Sequence, residues 1–220
     1  PKLFNEAQNI EKLTGDYIPF WSYDLNVSGN INFKTSDTKT WSDYDYTYTK
    51  IDEYLSKKEA NMTYNKVLVD GSSRFDDDLM DSLEPFDFNG LEDYNHAYLS
   101  GFFAEKYDID QNKAIPRATL RAMNTSIDQV KKTITRHVVC VESNNLNIEN
   151  TNTDYILLPV WMMNIDYKGK KYTFAMNGQT KEIVGNIPID KKKAGIIFFI
   201  IFILTFIIGL VISVLMGAQI

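Results

Sequence analysis

Two residues able to do nucleophilic chemistry lie three positions apart in "RHVVCV": His137 and Cys140. A catalytic thiol needs a base within hydrogen-bond reach. The surrounding β-branched residues predict a strand, and strand residues three apart face opposite sides, so the two form no dyad by themselves. Cys140 reads most simply as a small buried hydrophobe. His96, in "DYNHAY", has no partner that the sequence can name.

The carboxylates offer two further candidates. "DIDQNK" sets Asp108, Asp110 and Asn112 at the first three ligand positions of an EF-hand loop. Lys113 then stands where the sharp turn needs glycine, and Thr119 where the bidentate glutamate belongs. Helix-capping acids are the better reading, as they are for Asp76, Asp77 and Asp78. A phosphate-cradling glycine loop, a GxSxG elbow and an HExxH helix are all missing from the sequence. On this reading no residue is catalytic and none ligates a metal.

Aromatic residues form the remaining chemical signal. "WSDYDYTYT" alternates, with Tyr44, Tyr46 and Tyr48 on one face of an expected strand. Such a face suits a sugar or an aromatic ligand, although ordinary sheet packing is the simpler account. Trp21 in "IPFWSYDL" and Trp161 in "LPVWMMNI" share the pattern Pro-x-Trp-x-x-x-aliphatic, 140 residues apart. The echo reads either as an old duplication or as two edge strands using Pro and Trp alike. In both cases the tryptophans are expected to pack on a sheet face.

The elements that must position these residues follow from periodicity. "PKLFNEAQNIEKL" predicts a short helix ending near Gly15, and "DYIPFWSYDLNVSGNINF" a hairpin turning at Ser28-Gly29-Asn30. A further strand is expected around Tyr64 to Asp70. "FDDDLMDSLEPF" predicts a helix that begins with acids and stops before Pro85. "LEDYNHAYLSGFFAEKYD" predicts a second helix, and a third runs from about Pro116 to Arg136. Strands return in "RHVVCVES", "YILLPVWMMNIDY", "KKYTFAMN" and "EIVGNIP", with turns at Lys168-Gly169 and Asn177-Gly178. This order gives an α+β fold: antiparallel sheets, a central helical segment, then one C-terminal transmembrane helix. The expected division is a soluble domain over 1–190, a basic cluster over 191–193 and the span over 194–216. Within the domain, two β-hairpin halves, 1–74 and 137–190, flank a helical middle, 75–136.

From Ala194 to Met216 the chain carries 23 uncharged residues, with Thr205, Ser213 and two glycines as its polar content. As a helix this run is about 35 Å long, enough for a hydrocarbon core of about 30 Å. Lys191, Lys192 and Lys193 abut its N-terminal end, and no positive charge follows it. The positive-inside rule therefore places the large domain in the cytoplasm, where the lysines would meet anionic headgroups. A solitary Cys140 agrees; the sequons at Asn26, Asn61 and Asn124 point the other way. The first 190 residues hold all 29 acidic residues and 20 of the 23 basic ones, a formal charge of −9. Such a surface is poor for nucleic-acid phosphates, and no nucleic-acid partner is expected.

Three blocks, "GDYIPFWSYD", "LEPFDFNGLEDYNHAYLSGFFAEKYD" and "LLPVWMMNIDYKGKKYTFAMNGQTKEIVGNIP", followed by lysines and a span, resemble the TFIIB-type zinc-ribbon-containing membrane proteins of Gram-positive bacteria. The resemblance covers nearly the whole chain and departs at Lys181-Glu182, where a Thr-Gly-Lys-like turn would be expected. In that family zinc ribbons built from CxxC pairs precede this region. The resemblance implies that zinc belongs to a preceding segment and transfers no metal ligand to any residue here, so no cofactor is expected in this chain. It also implies neighbours of the SPFH-domain or phage-shock type. A non-enzymatic adaptor or scaffold anchored in the bilayer is the expected function. An extracytoplasmic PepSY-like sensor, suggested by "YKGKKYTFAMNGQT", and an enzyme whose site assembles only in three dimensions stay open.

Overall fold

The computed structural model describes residues 10–99, 101–167, 169–186 and 191–217. Its frame is one mostly antiparallel six-stranded sheet. Strand β1 (Ile10–Ser42) and strand β2 (Thr47–Asp70) form one long hairpin whose register runs from Phe20↔Asp70 to Ser42↔Thr47. Helix α1 (Asp77–Asp81) follows, then the two-residue strand β3 (Phe103–Ala104) and helix α2 (Gln111–Lys132). Strands β4 (His137–Tyr167), β5 (Lys170–Asn177) and β6 (Ile183–Gly185) complete the sheet, and helix α3 spans Lys191–Gly217. The strand order is β2-β1-β4-β5-β6, with β3 parallel to β1 at its start. The α+β class and the terminal apolar helix are as the sequence predicts.

Several boundaries differ from expectation, each for a local reason. The N-terminal helix is not seen at its described end: Ile10 to Leu13 already belong to β1, and residues 1–9 lie outside the described residues. There is no turn at Ser28-Gly29-Asn30. Gly29 sits in mid-strand with φ of +139°, and a Cβ there would overlap the Asn145 carbonyl of β4. The glycine serves close strand approach rather than reversal. The hairpin instead reverses at Asp43–Tyr46, closed by Asp43 N–H donating to the Tyr46 carbonyl at 2.9 Å.

The predicted helix over "LEDYNHAYLSGFFAEKYD" is replaced by a short 3₁₀ turn, His96–Leu99, and by β3, and a second 3₁₀ turn, Phe88–Gly90, precedes that segment. Within the segment Asn95 accepts from Ala97 N–H at 2.9 Å, so a side chain competes locally with the helical ladder. Helix α2 starts before Pro116 because Asp110 caps it, accepting from Asn112 N–H at 2.7 Å. It ends at Lys132, where the Thr133 hydroxyl donates to the Val130 carbonyl at 2.7 Å. The two strands expected in "RHVVCVES" and "YILLPVWMMNIDY" are one continuous strand, β4.

Alternation along β1 gives the sheet two differently covered faces. Trp21, Tyr23, Leu25 and Val27 pack with Ala114, Ala118 and Ala122 of α2. Ile31, Phe33 and Ala60 continue that face beneath Val130. Buried α2 residues recur every fourth position as Ala114, Ala118, Ala122, Ser126 and Val130, a small-residue stripe that lets the helix lie close on the strands. The other face carries Ile18, Phe20, Leu68, Ile156, Leu158 and Val160 against Met80, Leu83 and Phe86.

Among the described residues, contacts divide the chain into two compact units: one takes in residues 14–162 and 175–184, the other residues 10–13, 163–174, 185–186 and 191–217. In the second unit Ile165 and Phe174 make a small buried cluster with Met163 and Tyr172 packed on it.

Candidate membrane anchor and interaction surfaces

Helix α3 is apolar on every side. Within Lys191–Ile212 an 18-residue stretch has a mean hydropathy of 3.2, and none of that stretch is buried. It is long and apolar enough to cross a bilayer, and fits a single-pass membrane protein. The Thr205 hydroxyl is satisfied within the helix: its Oγ1 lies 3.0 Å from the Ile201 carbonyl and 2.9 Å from that of Phe202. That spares the hydrocarbon an unpaired donor. Lys191, Lys192 and Lys193, expected as a basic cluster ahead of the span, are exposed and form the first turn of the helix itself. Cations at a helix N-terminus oppose the macrodipole, so helix stability does not explain them.

The carboxylates of the EF-hand-like segment are structural. Asp108 accepts from the Ser73 backbone and hydroxyl, which hold its carboxyl below the usual range, and Asp110 caps α2. Asp76 caps α1 by accepting from Leu79 N–H at 3.0 Å. Groups of three or more metal-ligating side chains are absent among the described residues.

His137 and Cys140 are both exposed near the start of β4. The expectation that Cys140 is buried is therefore wrong. Val139 is half exposed as well, because this end of β4 is not covered as the sheet's centre is. His96 accepts or donates with the Tyr94 hydroxyl at 3.1 Å, its ring edge-on to that tyrosine.

The tyrosine run does not make a strand face. Tyr44 and Tyr46 belong to the reversal, and Tyr44 is fully exposed. Tyr48 pairs with Trp41 across the hairpin, their rings stacked at 5.7 Å. Periodicity alone missed the reversal because Asp and Tyr alternate through it. The tryptophans do pack as expected. Trp21 is buried, donates from Nε1 to the Ile109 carbonyl at 2.8 Å, and meets Tyr107 and Tyr155 at 5.2 and 5.3 Å. Trp161 is half-buried edge-on to Phe102 at 5.5 Å.

One constellation escaped the sequence reading. Arg117 Nη1 lies 2.7 Å from Asp70 Oδ1 and 2.9 Å from Asp77, while its Nη2 lies 2.6 Å from Asp81. Arg121 Nη2 reaches Glu84 at 2.8 Å, and its Nη1 donates to the Leu68 carbonyl at 2.5 Å. Together the two arginines tie α2 to α1 around the β2 edge. Asp70 is fully buried; burial pushes its carboxyl up despite the opposing hydrogen bond and charge of Arg117. The readable signal was the four-residue spacing of Arg117 and Arg121 on α2 and of Asp77 and Asp81 on α1.

The chain is 35% identical over 218 residues, 99% of its length, to a Bacillus subtilis (strain 168) protein described as "Uncharacterized protein YdjG". It spans 64% of that relative's length. No protein-family model matches the chain, and no solved structure does.

Proposed function

We propose that this chain is the membrane-anchored adaptor part of a longer bacterial protein of the zinc-ribbon membrane type, holding its acidic domain at the cytoplasmic face of the cell membrane. The observation that carries the reading is the all-round apolar helix α3 with three lysines in its first turn. Lysines there work against the helix dipole but suit anionic headgroups of the inner leaflet, each contributing about 1 kcal/mol near the surface. Orientation follows from the same lysines by the positive-inside rule. The acidic domain supports a role in holding protein partners rather than nucleic acid. The acids that looked chemically suggestive, Asp76, Asp108 and Asp110, are engaged in caps and turns, which supports a non-catalytic reading. SPFH-domain and phage-shock-type membrane proteins are the proposed partners, and zinc the proposed metal of the longer protein's other segment. Affinity capture of the full-length protein from mild detergent, with and without the α3 segment, tests this. Co-purification of such partners that depends on α3 is expected; a partner-free protein, or one that turns over a small-molecule substrate, would overturn it.

A further inference from the structure

The β2 strand forms one edge of the sheet along its whole length, with β1 on its other side. Toward Asp70 that edge is closed by Arg121, whose Nη1 caps the Leu68 carbonyl. From Thr47 to Glu59 it is exposed or half-exposed. Long open edges invite strand addition, and lysines usually guard them. Here the guard residues have an unusual order. Asp52 and Glu53 stand three and two positions before Leu55, and Lys57 and Lys58 two and three positions after it. We propose that this edge pairs antiparallel with β2 of a second copy of the chain, about a two-fold axis at Leu55.

In that register Asp52 faces the other copy's Lys58 and Glu53 faces its Lys57, and symmetry repeats both pairs. Leu55, 54% exposed, meets its own copy at the axis. Opposite charges set directly across an antiparallel pair attract. The register is selective. Outward-pointing backbone groups alternate, so an antiparallel self-pair can slip only in steps that keep residues of like parity opposed. Moving the axis to Ser56 sets Glu53 against Glu59, and moving it to Tyr54 sets Lys50 against Lys58. Each neighbouring register thus opposes like charges, and the Leu55 axis opposes unlike ones. Among the described residues Lys57 and Lys58 have no ion pair within the chain. Asp52 and Glu53 do, to Lys50 at 3.0 Å and Lys34 at 2.9 Å, and each keeps a second carboxylate oxygen for a lysine across the axis. Pairing here would also bury the open edge of the hairpin.

The test uses the whole 220-residue chain in detergent micelles, in a Cys140→Ser background. Leu55→Cys should cross-link to a dimer under mild oxidation, and Thr47→Cys should not, since its two copies would lie roughly 50 Å apart along the strands. Lys57→Glu with Lys58→Glu should reduce the dimer fraction at least tenfold by sedimentation. Adding Asp52→Lys and Glu53→Lys to that variant should restore it. A monomer at all concentrations would overturn the proposal. So would a dimer that cross-links at Thr47→Cys but not at Leu55→Cys, or one indifferent to both charge reversals. Circular dichroism of each variant establishes that a lost dimer is not a lost fold.

Discussion

Arg117 holds Nη1 2.7 Å from Oδ1 of Asp70, a carboxylate with no exposed surface whose other oxygen, Oδ2, has no partner among the described residues. The pair joins the last residue of β2 to the second turn of α2, and Arg117 continues to Asp77 and Asp81 of α1. A buried ion pair is weak evidence of net stability, but removal of one partner strands the other.

Arg117→Met should therefore cost about 3 kcal/mol, since it leaves the Asp70 carboxyl buried without its partner. Asp70→Asn should cost less, and the two together less than their sum. Chemical denaturation of the detergent-solubilised chain measures all three. Equal and additive losses would show that the pair is not coupled.

The same carboxyl gives a pH signature. Burial raises its folded pKa above the unfolded value, so the folded protein binds more protons in the window between them. Stability of the parent relative to Asp70→Asn should fall as pH rises through the ordinary carboxylate range, then level off beyond Asp70's raised value. A relative gain over that window would show that Arg117 outweighs burial.

Tyr23 titrates at the other extreme. Its hydroxyl donates to the Gln111 carbonyl at 2.7 Å, and burial with the nearby Asp110 charge pushes it up to about 12. A raised folded pKa contributes stability that is whole below the unfolded tyrosine value and is lost above it. Between pH 10 and 12 the parent should lose roughly 2 kcal/mol more than Tyr23→Phe. Parallel pH curves would show that the phenol is not held neutral by its surroundings.

Asn177 does far more than an amide–glycine turn requires. Its Nδ2 donates to the carbonyls of Leu83 and Pro85 at 2.9 and 3.0 Å, and its Oδ1 accepts from Gln179 and Thr180 at 2.8 and 3.1 Å. The residue is fully buried, and Gly178 beside it donates to the Pro159 carbonyl at 2.9 Å. Asn177→Ala leaves several buried backbone groups unpaired and should cost about 3 kcal/mol by thermal or chemical melting. Asn177→Asp should be nearly as damaging, because an acceptor replaces the donor that two carbonyls need.

Turn composition let the Asn177-Gly178 reversal be read from sequence, but not what Asn177 reaches across 94 positions. The same limit explains the other differences. Capping acids and the apolar helix α3 are local patterns, and they were legible. Gly29 looked like a turn because its need for space is set by Asn145, far along the chain. Arg117 and Asp70 carry no motif that links them; only the fold of α2 over β2 brings them together. The tyrosine alternation, by contrast, was a local signal that misled, since a reversal at Asp43–Tyr46 can share a strand's period.

The exposure of Cys140 supplies a direct test of orientation. It is the chain's single cysteine and is open to solvent in the folded protein, so no unfolding step is needed to reach it. If the lysines at the start of α3 face the inner leaflet, everything before them is cytoplasmic. A membrane-impermeant maleimide applied to intact cells expressing this chain should then leave Cys140 unlabelled, and permeabilised cells should label it fully. Replacing Lys191, Lys192 and Lys193 by glutamine removes the positive charges beside the span and should give a mixed population, partly labelled from outside. The mixture, rather than a full reversal, is expected of this chain because Ala218, Gln219 and Ile220 carry no positive charge to pull the other end inward. Labelling of the parent chain in intact cells would place the acidic domain outside and overturn the adaptor proposal with it.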